Sequence, residues 1–496
     1  MKIFISKIMF IMTIFIIVAC QDNLNLYPLD ETEADFFDEE IDFLRATYGV
    51  YAKMSDIYWY NINFPLHALW LLPGDDLTSI RPYPYEVFRT LQPNDWRIRT
   101  YYTTAYQLIN RANTLLEKIE KDEQSDYPVF SDASVRDEFK GEALCLRGIM
   151  NFQLWNYFGT SPNITFRIST RENIYPPNAE ENELLDQAIS DFKMSVDLLP
   201  ASRNDAERGR ITKSSALGYL GKALVFKANV TQDMNQYTEA ISYFNKITDK
   251  SLVANYGDNF SATTENNAES LFEFQASQTF ADQPWLSNDA DADNGSFAAY
   301  YGYFNNHWSW WDQTPIIPTR KLIDAIDPGD PRLPYILDTA TGLIRKYLVD
   351  DIPASSGMQS VNNPRLLRYA DILLLQAEAL NETGDQDGAV TLINQVRTRS
   401  RNMGYTGVPA NLPTSNDQEQ IRRWIQEERF VELAAEEGHR WLDLRRWEMA
   451  GWIDLESWDF SSASQSFLIQ MPENLLFPIP DFEVDLNPNV LQNDGY

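Results

Sequence analysis

Residues Tyr369 to Ser400 read YADILLLQAEALNETGDQDGAVTLINQVRTRS. Apolar side chains recur three and four apart on either side of a short polar joint. That is the period of two amphipathic helices folded back on each other. Ala377 and Ala389 stand 12 apart, with Leu380 and Gly384 between them and Ile393 after. Small side chains at such places let two helices approach closely, and bulky ones fill the groove between them. The stretch predicts a closely packed helical hairpin.

The same rhythm runs through much of the chain. TYYTTAYQLINRANTLLEKIEK (Thr100 to Lys121), GEALCLRGIMNFQLWNYF, LLDQAISDFKMSVDLLP, SSALGYLGKALVFKANV, YTEAISYFNKIT and QIRRWIQEERFVELAAEE all carry it, largely in pairs with short polar joints. The ladder of Ala370 to Ser400 matches that of a tetratricopeptide repeat. Ala188, Phe192 and Pro200 supply the second half of the pattern, and Ala240 and Phe244 repeat its alanine-to-phenylalanine step. A plain helical bundle is the alternative. Long insertions between hairpins argue against a pure solenoid. The predicted fold is mostly α, a tetratricopeptide-like helical hairpin scaffold with a large irregular, loop-rich ligand-binding insertion. Two stretches break the helical pattern, about 56–95 and 251–364, and both are rich in aromatic residues and asparagine or proline. The second contains NNHWSWWDQ (Asn305 to Gln313), where Trp308, Trp310 and Trp311 follow neither a helical period nor a long alternation. Loops carried on a rigid scaffold are where binding tends to reside.

The chain has 496 residues, 44% of them hydrophobic, enough for a sizeable core. Its formal charge of -31 argues against nucleic acid as a partner, since a phosphate backbone attracts the opposite sign. A neutral ligand suits such a surface better. At the N-terminus, Lys2 and Lys7 flank a start that runs into IMFIMTIFIIVA, too short to span a bilayer comfortably and built like a secretory signal. It ends at Ala19, directly before Cys20. That arrangement resembles a bacterial lipobox, in which the cysteine thiol receives a diacylglyceryl group and becomes the new N-terminus. Residues 1–19 therefore read as a lipoprotein signal peptide, Cys20 as the lipid anchor, and 20–496 as a single domain. The membrane is then reached through the lipid alone, each buried methylene contributing about 0.8 kcal/mol. The other cysteine, Cys145, reads as a small buried apolar residue, and no disulfide framework is expected.

Six blocks, in order behind the lipobox, carry a resemblance. GEALCLRGIMNFQLWNYFG and GRITKSSALGYLGKALVF come first, followed by a block ending in ESLFEFQAS. LLRYADILLLQAEALNETG with LINQVRTRS, then EERFVELAAEEGHRWLDLRRW, and finally FPIPDFEVDLNPNVLQNDGY complete the set. Along nearly its whole length the chain resembles the SusD/RagB family of outer-membrane nutrient-uptake lipoproteins. Two departures are visible: Asp494 stands where proline is usual, and GTSPN replaces the common Gly–x–Val-Pro. The resemblance implies a tetratricopeptide-like scaffold with an irregular ligand-binding half. It implies a lipid-anchored, surface-exposed protein of the outer membrane that lids a SusC-like TonB-dependent transporter. The cargo it implies is an oligosaccharide, bound without being cleaved.

The residues themselves favour a binder over an enzyme. Glu428 and Glu432 lie one turn apart on one helix face, whereas glycosidases need two carboxylates facing each other across a sugar. Arg429, Arg440, Asp443, Arg445 and Arg446 nearby suggest an ion-pair network joining the last helices. His67, His307 and His439 are far apart, and HExxH, GxSxG and a glycine-rich phosphate loop are absent from the sequence. Asp289, Asp291 and Asp293 are spaced like the start of a calcium loop, but the glycine falls late, at Gly295, and Tyr300 replaces the closing glutamate. That run reads as a solvated acidic loop, and no cofactor or metal is expected. Indole faces cover the apolar patches of sugars, and neighbouring Asp, Asn and Arg bond the hydroxyls. The candidate glycan-binding residues are Trp308, Trp310, Trp311, Asp76, Arg81 and Trp96. A tetratricopeptide surface scaffold for a protein partner, or a binder of a non-sugar nutrient, is the alternative.

Overall fold

The computed structural model describes residues 36–58, 66, 68–79, 91–276, 316–348, 361–460 and 469–496. The signal segment, Cys20, His67, Arg81, the aspartate run at 289–293, His307 and the three clustered indoles lie outside the described residues.

Helices dominate. In chain order the principal ones are α1 (Glu40–Ala52), α2 (Trp96–Glu123), α3 (Ala133–Phe158), α4 (Glu183–Leu198), α5 (Lys213–Thr231) and α6 (Met234–Phe244). After them come α7 (Tyr369–Thr383), α8 (Gln386–Asn402), α9 (Gln418–Glu432), α10 (His439–Met449) and the short α11 (Asp481–Leu486). Their starts are set locally. Asp95, Asp132, Asp233, Asp385 and Asp417 each precede a helix and accept a hydrogen bond from a backbone N–H of its first turn. At α5, Thr212 and Ser215 form a reciprocal capping box.

Consecutive helices pack as hairpins: α2 with α3, α3 with α4, α5 with α6 and α7 with α8. The first expected hairpin, residues 370–400, is therefore present. Ala377, Ala389, Ile393 and Val396 are buried together with Ile421 and Ile425 of α9 in a satellite core. The two alanine-to-phenylalanine steps also pack as anticipated. Phe192 stacks on Tyr219 at 5.6 Å. Phe244 lies so close to Gly221 that a Cβ there would sit 2.2 Å from the ring. Gly221 thus lies at a close contact between α5 and α6, and a side chain there would press on the Phe244 ring. Cys145 is a buried free thiol whose pKa burial raises.

The two irregular stretches contain short regular pieces. Strand β1 (Leu77–Ser79) falls in the first, and β2 (Ser270–Glu273) and β3 (Ile316–Pro318) fall in the second. A fourth strand, β4 (Arg365–Arg368), leads directly into α7. β1 pairs antiparallel with β3, and β2 with β4. Both are two-stranded ladders, which are marginal on their own and depend on the helices packed against them. No helix among the described residues is long and apolar enough to cross a membrane.

Candidate functional site

The helix and turn of EERFVELAAEEGHRW form the centre of a buried charge lattice. Glu428 and Glu432 do face the same way, as their spacing on α9 requires, but both receive the Arg332 guanidinium, at 2.6 and 2.9 Å. Glu432 also pairs with Arg368 at 2.7 Å and with Arg399. Burial opposes its ionisation, yet Arg399, Arg368 and Arg332 outweigh burial and hold its carboxyl well below the usual range. Glu436 binds Arg368 and Lys346, and burial pushes the Lys346 amine down to about 8. Arg429 bridges Asp371 and Asp443, and Arg446 ties Asp443 to Glu378. His439 sits 3.3 Å from the Lys222 ammonium; burial and that charge bring its pKa down to about 3, so the ring is neutral. These carboxylates are occupied in holding helices together. Arg445 departs from the expectation: instead of joining the ion pairs, its guanidinium lies 4.6 Å from the Trp155 ring.

The turn in this motif is shaped by backbone geometry. Ala435, Glu437 and Gly438 all have positive φ, and a Cβ at Gly438 would meet the Trp70 carbonyl oxygen at 2.8 Å. Glycine is required there by both conformation and space. The turn delivers the Ala435 N–H to the Asp76 carboxylate at 3.3 Å and sets Arg440 against Asp75.

Asp75 and Asp76 then part company. Asp75 gathers Arg440, Lys321 at 2.5 Å and the Trp458 indole N–H at 2.9 Å. Burial opposes its ionisation, but the two cations prevail and keep the carboxyl well below its ordinary value. Asp76 is only 4% exposed, and its Oδ1 has no hydrogen-bond partner among the described residues. Burial and then the adjacent Asp75 charge push it up to about 6. The Asp76 carboxyl is enclosed beneath the 435–440 turn. Trp96 is different. It opens α2, is 40% exposed, and has the Arg97 guanidinium 5.2 Å from its ring.

What the Asp75 cluster positions is the β1–β3 ladder. The Thr319 N–H donates to the Asp76 carbonyl at 2.8 Å, and its hydroxyl donates to the Asp75 carbonyl at 2.7 Å. In the ladder Ser79 is the partner of Ile316. Residues 80–90, with Arg81, leave the sheet from Ser79; residues 277–315, with Trp308, Trp310 and Trp311, enter it at Ile316. Two candidate stretches more than 200 residues apart in the chain are thus rooted on adjacent residues. Sequence reading missed Lys321 and Trp458, which clamp Asp75. Neither lies in a recognisable motif, and the only signal was Arg440, whose acidic partner is 365 positions away.

The final block of the chain acts as a clip. Asn493 donates to the carbonyls of Phe158 and Phe477, Gln492 bonds both backbone groups of Ile479, and Asn487 donates to the Pro176 carbonyl. Asp494 is exposed, which accounts for the tolerance of a non-proline residue there.

Comparison with known proteins agrees with this architecture. A model of the SusD family matches residues 245–496, and a model described as "Starch-binding associating with outer membrane" matches residues 83–224. The SusD-like protein P2 of Formosa agariphila is 25% identical over 527 aligned positions that cover 99% of both chains. A SusD homolog from Bacteroides thetaiotaomicron superposes with a TM-score of 0.75 at 20% identity, covering 94% of this chain and 99% of that one. A laminarin-binding SusD-like protein gives a TM-score of 0.74 at 23% identity over 92% of this chain and 100% of its own. Together with the helical hairpins and the terminal clip, these matches show that the chain belongs to the SusD/RagB family.

Proposed function

We propose that the protein is a cell-surface lipoprotein, anchored through Cys20, that binds oligosaccharides without cleaving them and passes them to a SusC-like TonB-dependent transporter of the outer membrane. The observation that carries this reading is the shared root of two candidate stretches at Ser79 and Ile316, on a scaffold of the SusD family. Arg81 supplies hydrogen-bond donors from one stretch, and Trp308, Trp310 and Trp311 supply apolar faces from the other. Trp96 adds an exposed indole at the head of α2. Asp76 takes a positioning role, through the Ala435 N–H and the ladder. The laminarin-binding neighbour supports a glycan as the class of cargo. The paired state of Glu428 and Glu432 supports binding in place of hydrolysis.

The test is calorimetric titration against a panel of neutral oligosaccharides, with sugar uptake and transporter co-purification measured in parallel. Replacing Trp308, Trp310 and Trp311 together by alanine is expected to weaken binding at least tenfold and to lower uptake while co-purification persists. Unchanged uptake in that variant, or turnover of the sugars by the wild type, would sink the reading.

A further inference from the structure

A groove of about 510 Å³ lies along α2, walled by residues 162–176 on one side and by Phe482 and Glu483 of α11 on the other. Its volume is in the range of about 300–1,000 Å³ typical of small-ligand sites. The walls are fixed in place. The Tyr106 hydroxyl donates to the Pro162 carbonyl at 2.7 Å, and Asn113 donates to the carbonyls of Ile164 and Phe166 at 3.0 and 2.9 Å. The C-terminal clip holds the same wall through Asn487 and Asn489, which donate to Pro176 and Tyr175. On the opposite side, Arg99 lies over Phe482 at 4.6 Å, and the Asp481 N–H donates to the Pro93 carbonyl at 3.1 Å. A preformed groove loses little ordering entropy when a ligand enters.

Its chemistry is that of a neutral polyol. Tyr106 and Phe482 offer aromatic surface, and Gln107 and Asn110 offer amides. The two cations at its edge are engaged: Lys53 with Asp56 at 2.6 Å, and Arg111 with the Gly49 carbonyl at 2.7 Å. The Glu483 carboxylate on the wall repels an anion. At about 100° per residue, Thr103, Gln107 and Asn110 of the lining fall within about 60° on one face of α2. With a rise of about 1.5 Å per residue, that face runs about 11 Å from Thr103 to Asn110, long enough for about two sugar rings.

We propose that this groove is a second oligosaccharide site, running along α2 from Thr103 to Asn110, in addition to the one proposed on the stretches rooted at the β1–β3 ladder. The proposal rests on the reading of the chain as a glycan binder. The exposed apolar rim, with Phe166, Ile174 and Tyr175 each more than 40% exposed, covers the apolar faces of a sugar chain that overhangs the groove.

The full chain is titrated with laminarihexaose, maltohexaose, cellohexaose and xylohexaose. Two sites per chain are expected for at least one sugar. The double variant Gln107→Ala, Phe482→Ala is expected to lose one site, with at least a tenfold drop in affinity there and no change at the other. Thr103→Trp, which fills the groove from an accessible position, provides an independent variant; an unchanged thermal midpoint shows that each remains folded. Hydrogen exchange over residues 96–111 is expected to slow on adding sugar. A single site per chain, insensitive to both variants but abolished by replacing Trp308, Trp310 and Trp311, overturns this proposal and leaves the proposed function standing. No binding to any of the four sugars overturns it as well. So does loss of transporter co-purification in the groove variants with sugar stoichiometry intact, since the groove then serves a protein.

Discussion

Asp76→Asn isolates the cost of the enclosed carboxyl beneath the 435–440 turn. Asp76 is buried, its neighbour Asp75 is ionised, and its pKa is pushed from an ordinary 3.8 up to about 6. A raised carboxyl pKa means that the folded protein holds the proton more tightly than the unfolded chain. The stabilisation is complete below about pH 3.8 and is lost as pH rises through about 6. At about 1.4 kcal/mol per pH unit, ionised Asp76 costs about 3 kcal/mol by pH 8 and under about 1 kcal/mol at pH 4. The asparagine amide does not titrate, and its own packing or hydrogen-bonding offset is the same at both pH values. Relative to the variant, the wild type should therefore lose about 2 kcal/mol between pH 4 and pH 8. Urea unfolding of both proteins at the two pH values, followed by tryptophan fluorescence, measures this difference. A stability difference that stays constant with pH within about 0.5 kcal/mol would show that Asp76 titrates normally, and the enclosed geometry would be wrong.

Glu432→Gln removes the carboxylate shared by Arg332, Arg368 and Arg399; leaving three buried guanidinium groups short of a counter-charge should destabilise by about 3–5 kcal/mol at pH 7. A loss under about 1 kcal/mol in denaturant unfolding would mean that the lattice is wetter than its burial indicates. Gly221→Ala places a Cβ 2.2 Å from the Phe244 ring and should cost about 1–3 kcal/mol through overpacking. The double variant with Phe244→Leu should recover part of that, and no recovery would argue that the strain lies elsewhere.

The helices were legible because their signals are local. The 3.6 period and the capping aspartates each act within a turn or two of chain, so α7 and α8 can be read from residues 369–400 alone. The candidate site was legible only in part. The sequence singled out aromatic stretches near 81 and 308 but offered no means of joining them. It also could not separate Asp75 from Asp76, which are adjacent, equally charged and set among the same residues. Their fates diverge because the two side chains meet different partners. One side chain meets Arg440, Lys321 and Trp458; the other meets a single backbone N–H and the field of its neighbour. The groove along α2 had no sequence signal, since its walls come from helices and loops as far apart as Thr103 and Phe482.

The sequence by itself determined the helical hairpins, the charge balance, the lipobox pattern and the family. Tertiary structure decided which charges are buried, which pair, and which surfaces face one another. The physical reason is range: helix periodicity and capping act between residues a few positions apart, whereas desolvation and ion pairing depend on partners that only folding brings together, such as Asp75 and Trp458 across 383 positions.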